Sequence, residues 1–221
     1  MARFALLLMQ LLALLLRFTY SFHCSSNRAQ RRARFNRVPV ITTTLRSSVY
    51  VSADDVGGVL YEAARAGDAA KVREICSKHA MDDSIIDWHH PEEWSATPII
   101  IATRAGHSNC LKALIEAGGD PNMPDSMAES PSHLACKLGH DACLEVLISA
   151  GGADLNARSR IGATPAYWAA FRGHDKCLSL LAAAGADLGI PNSFNVSPLA
   201  MAQREGHGKC IDIVQRAGKK G

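Results

Sequence analysis

The sequence is marked at a fixed interval. Gly-His-x-x-Cys occurs four times, at Gly106-His107 to Cys110, Gly139-His140 to Cys143, Gly173-His174 to Cys177 and Gly206-His207 to Cys210. The glycines are 33, 34 and 33 residues apart. A second mark keeps step. Thr97-Pro98, Ser130-Pro131, Thr164-Pro165 and Ser197-Pro198 each place the hydroxyl residue nine positions before one of these glycines. Such a period predicts a stack of small units rather than one globular core.

One unit can be read residue by residue. Thr164 followed by Pro165 predicts a helix start: the hydroxyl caps free amides and Pro occupies the first position, where no amide is needed. Ala166 to Arg172 continue the helix, and Gly173 ends it in the left-handed conformation. His174 stands at the N-cap of a second helix, where Cys177, Leu178, Leu180 and Leu181 recur at helical spacing. Gly185 stops that helix, and Pro191-Asn192-Ser193 marks a turn before Ser197-Pro198. The unit is helix, tight turn, helix and extended finger. Neither helix buries its apolar face alone, so neighbours must stack.

The residues that carry these marks resemble the ankyrin repeat. Thr97-Pro98 to Ala102, Ser130-Pro131-Ser132-His133-Leu134-Ala135 and Gly152-Ala153-Asp154-Leu155-Asn156 show it most plainly. Leu60 to Asp68 resembles an N-terminal capping pair and Ser197 to Gly218 a C-terminal one. The resemblance spans about residues 56–218, in five units. It implies an all-α repeat, an ankyrin-like α-solenoid of helix-turn-helix units with β-turn fingers, over residues 54–221. The family's His in Thr-Pro-Leu-His is kept only as His133, with Ile100, Tyr167 and Ala200 in its place. Gly151 adds one residue, and the first finger carries about six more around Ile85 to Trp94.

Charge is unevenly placed. Residues 1–53 hold eight Arg and no Asp or Glu, so 54–221 carries a net charge of −5. An acidic body is a poor nucleic-acid binder. In the leader, Arg3 precedes an apolar run from Phe4 to Leu16 that ends at Arg17. The run is too short to span a membrane and fits a signal peptide over 1–21. Residues 22–53 are basic and Ser/Thr-rich, the composition of a transit segment. Together they resemble a bipartite plastid leader. Plain secretion, with 22–53 as an extended arm, is the alternative, as is an uncleaved leader that anchors the repeats to a membrane.

Chemistry is sparse. A zinc site needs four converging ligands, and each His-x-x-Cys offers two. The paired Asp54-Asp55, Asp82-Asp83 and His89-His90 fall in turns or linkers. No phosphate loop or catalytic motif is present. No cofactor, metal or catalytic residue is therefore expected, although a redox or metal-binding protein is the contrasting reading of the cysteines. Those cysteines read as small buried hydrophobes, with Cys136 and Cys143, in one unit, the pair to compare.

Two rows point to a partner. Two positions before each glycine stand Arg65, Arg104, Lys137, Phe171 and Arg204; the resemblance places these on the inner helices, facing the groove. Three positions before each hydroxyl-Pro stand Trp94, Met127, Ile161 and Phe194, large apolar residues at finger tips with polar neighbours. Basic ends also suit helix dipoles, and the apolar tips could fold onto their own hairpins. A basic wall with an apolar lip suits an acidic, amphipathic segment of another protein. The expected function is protein–protein recognition, as adaptor, chaperone or assembly factor.

Overall fold

The computed structural model describes residues 53–79, 82–91, 93 and 95–218, all within the unit Val49–Gly221. The expected leader segments 1–21 and 22–53, but for its last residue, and Trp94 of the apolar row lie outside the described residues.

The first helix pair is α1 (Ala53–Ala66) and α2 (Ala69–Lys78), followed by the short α3 (Asp83–Ile86). Four pairs follow: α4 (Pro98–Arg104) with α5 (Ser108–Glu116), α6 (Pro131–Leu138) with α7 (Asp141–Ser149), α8 (Pro165–Arg172) with α9 (Asp175–Ala183), and α10 (Pro198–Glu205) with α11 (Gly208–Ala217). No strand occurs among the described residues. First helices pack on first helices (α1, α4, α6, α8, α10) and second on second (α2, α5, α7, α9, α11). The protein is an all-α stack of five units.

Local chemistry starts each unit where the sequence places it. Thr97, Thr164 and Ser197 are extended N-caps whose hydroxyls accept the backbone N–H of Ile100, Tyr167 and Ala200. The inserted residues of the first finger form α3, whose Ile85 and Ile86 are buried. Between the two rows of helices runs one core. Leu111, Leu114, Leu144, Leu147, Leu178 and Leu181 supply its second-helix side, each with no exposed surface. At about 25 cal/mol per Å² of apolar surface, this shared burial is the main force holding unit to unit.

The repeated histidines do not cap their helices. His107, His140, His174 and His207 stand at N-cap positions, yet none of their side chains makes a capping hydrogen bond. Each ring reaches back instead, filling the space that a Cβ would take on the glycine of the preceding unit: Gly67, Gly106, Gly139 and Gly173. His107 Nε2 lies 3.2 Å from the carbonyl oxygen of Arg65, His140 Nε2 3.2 Å from that of Arg104, and His207 Nε2 3.1 Å from that of Phe171. An Nε2–H at these distances donates to a carbonyl that the ended helix leaves open. The first unit has no predecessor among the described units, and there Asp68 caps α2 through the Lys71 N–H. The motif is thus a joint between repeats, which explains its period.

His133 makes a second joint. Its Nδ1 accepts the Ser130 N–H at 3.1 Å, and its Nε2 stands 2.9 Å from the carbonyl oxygen of Ala163 in the next finger. The ring is fully buried, and burial pushes its pKa below the ordinary value, against the opposing pull of the Ala163 carbonyl and Glu129. The unfolded chain therefore binds this proton more readily than the folded one. Stability from this site is complete above about pH 6.5 and falls as pH drops from there towards the folded pKa, below which the loss levels off. The parent should lose stability relative to His133→Gln across that window. Urea titrations at several pH values check this; a constant difference would mean that the imidazole binds its proton equally well in the folded and the unfolded chain.

Candidate partner-binding face

The finger tips are built by their first residue. Asp125 Oδ1 accepts the N–H of Met127 at 2.8 Å and of Glu129 at 3.0 Å. Asn192 Oδ1 does the same for Phe194 and Val196, both at 3.0 Å. The residue after each apolar-row position then turns left-handed: Ser95, Ala128, Gly162 and Asn195 have φ of 54°, 57°, 70° and 58°. Adjacent tips are bonded through the backbone, Arg160 N–H to the Met127 carbonyl and Ser193 N–H to that of Ile161. Met127, Ile161 and Phe194 of the apolar row therefore sit on a continuous edge. Phe194 is 73% exposed and Met127 40%. Ile161 is half-buried and packs with Tyr167, Met201, Trp168 and Phe171.

The basic row is largely engaged. Arg65 pairs with Glu93 at 3.3 Å, Arg104 with Asp125 at 3.5 Å and Lys137 with Glu129 at 2.8 Å. The acids sit in the finger after Arg65, in the finger after Arg104 and in the finger before Lys137. Asp125 and Glu129 are buried, with side chains 3% and 8% exposed, so these are walls of the groove rather than loose surface pairs. Glu93 also accepts the Tyr61 hydroxyl at 2.6 Å. That bond, and then Arg65, holds the Glu93 carboxyl below its usual range. Burial, reinforced by Glu93, pushes the Tyr61 phenol up. Among the described residues, Arg204 pairs only with its neighbour Glu205, at 2.9 Å.

The fourth unit differs. Phe171 stands in the cation position, and Ser159 and Ala163 in those of Asp125 and Glu129. An aromatic cluster occupies the space: Trp168 lies edge-on to Tyr167 at 5.7 Å and 5.9 Å from Phe171. Lys137 Nζ lies 4.4 Å from the Trp168 ring centre, and the Arg172 guanidinium 5.2 Å from that of Phe171. The cluster was not singled out from sequence, although Tyr167, Trp168 and Phe171 at spacings of three and four mark one helix face.

The cysteines correct one expectation. Cys136 meets Cys177 of the next unit, not Cys143 of its own. The Cys177 thiol donates to Asp141 Oδ1 at 2.9 Å. All six described cysteines are buried and free, and burial pushes the Cys143 thiol up to about 11. Such thiols are poor nucleophiles. No group of three or more metal-ligating side chains converges among the described residues. A cleft of about 770 Å³ beside α10 and α11, lined by Leu188, Leu199 and Val214, has Asp187 as its one ionisable side chain. What the geometry offers is a surface for contact.

No curated protein matches the chain. The family described as Ankyrin repeats (3 copies) matches residues 60–159, and Ankyrin repeat matches residues 161–193. Ankyrin repeats are generic protein–protein interaction modules, typically without enzymatic activity. The matches account for four of the five helix pairs, and the chain belongs to the ankyrin repeat family.

Proposed function

We propose that this protein is a non-enzymatic recognition module, an adaptor, chaperone or assembly factor, that holds a partner polypeptide between its first-row helices and its finger tips. The observation that carries this reading is the exposed apolar edge. Phe194 and Met127 project from tips whose turns are held by the Asn192 and Asp125 side chains, so their exposure is not slack in the loops. A large exposed aromatic on a rigid edge is the usual form of a binding anchor. Phe171 and the cations at Arg65, Arg104, Lys137 and Arg204 line the adjoining wall. No helix among the described residues is long and apolar enough to cross a membrane. The leader is proposed to deliver the body to a plastid.

A photo-reactive residue at Phe194 should cross-link one discrete polypeptide in native extract, and one at Lys112, on the second-row helices, should not. Equal labelling from both sites would sink the reading. N-terminal sequencing of the same native protein should find a start near Phe22 or Asp54; an intact Met1 or Ala2 would favour the membrane tether.

A further inference from the structure

Equivalent 16-residue windows, each covering a finger and its first-row helix, show where the face changes sign. Net charge is −1 over 90–105 and again over 123–138, +3 over 157–172 and 0 over 190–205. The change is concerted. In the earlier units each groove cation faces a finger carboxylate of its own protein. In the fourth unit both acid positions are lost, to Ser159 and Ala163, and the cation position becomes Phe171. Arg172 is exposed beside that ring and makes no carboxylate pair among the described residues. Phe194, the most exposed large apolar side chain described, stands on the next finger.

A groove whose cations already hold internal carboxylates gains little from an incoming acid, because the incoming group must displace a partner of the same charge. Arg172 has no such competitor among the described residues, and the exposed Phe194 stands on the next finger. Resting on the recognition reading above, we infer that the partner seat is confined to the fourth unit and the finger after it. Its occupant is a polypeptide segment with an aromatic or aliphatic anchor flanked by carboxylates. The anchor packs between Phe171 and Phe194, and a carboxylate meets Arg172. The ion pairs of Arg65, Arg104 and Lys137 keep the groove of the first three units closed to acids.

The full chain is titrated with a fluorescently labelled peptide of Glu and Phe, followed by anisotropy. Two counterparts, Lys for Glu and Ala for Phe, serve as references. The Glu-Phe peptide should bind, more weakly as salt rises, and both counterparts should bind at least about tenfold more weakly. Phe194→Ala and Arg172→Glu should each weaken binding about tenfold or more, and Arg104→Gln less than about twofold. All three positions are at least partly exposed, and unchanged circular dichroism melting shows that the variants fold. If Arg104→Gln loses as much as Arg172→Glu, the seat runs the length of the stack; this inference fails and recognition by the groove stands. Binding of the Lys peptide as tightly as the Glu peptide, or no binding of the Glu-Phe peptide, overturns it. Cross-linking from Phe194 in extract would then still decide the broader reading separately.

Discussion

Gly173→Ala destabilises the protein by about 3 kcal/mol or more, while Gly206→Ala costs about 1–2 kcal/mol. The two glycines end equivalent helices with nearly the same backbone, φ 75° and 76°. Both substitutions bear the strain of a side chain in the left-handed region. Only one meets a neighbour. A Cβ on Gly173 would stand 2.7 Å from His207 Nδ1, whereas nothing lies within 4 Å of one on Gly206. The excess at Gly173 therefore measures the seat of the imidazole rather than the cap. Urea unfolding of the two variants reads it, and equal losses would show that the ring moves aside freely.

Lys137→Met should cost about 2 kcal/mol, because it strands the buried Glu129 carboxylate. Adding Glu129→Ala, the residue type that Ala163 supplies one unit later, should recover most of that loss. Denaturant midpoints of the parent, both single variants and the double variant make a complete cycle. Loss in the double variant equal to the sum of the singles would mean that the two groups do not interact. Recovery would show that the neutral wall of the fourth unit is as stable a solution as the ionic one before it. The pairs would then be kept for what they exclude from the groove.

How much could be read beforehand depended on sequence distance. Thr164-Pro165 to Gly173 is local chemistry, and the helix it predicts runs over Pro165–Arg172. The stack follows from the period, because a repeated apolar face has nowhere to go but its neighbour. What stayed hidden lies across the joint between units. His107 sits at an N-cap by backbone geometry, and no local pattern tells that its ring bonds a carbonyl 42 positions earlier. Cys136 and Cys177 are 41 positions apart, more than one full period, so the shorter Cys136–Cys143 spacing was the misleading cue. The basic row was visible, but its partners were not. Glu129 precedes a capping Ser and reads as loop polarity until the finger folds over Lys137.

The His-on-Gly joint bears on how such a chain can grow or shrink. At each of the four interior joints one unit supplies the glycine and the next supplies the ring. A whole unit copied or deleted between two such glycines leaves a matched joint behind, whichever unit is taken. The extra Gly151 shows how much slack the scheme allows: it lies away from every joint, with nothing within 4 Å of a Cβ placed on it. Length can therefore drift in the loops while the joints remain interchangeable. Recombination in whole units is then the cheapest way for the sequence to change, and the fourth unit, with its own charge and aromatic face, can be carried as a cassette into another stack.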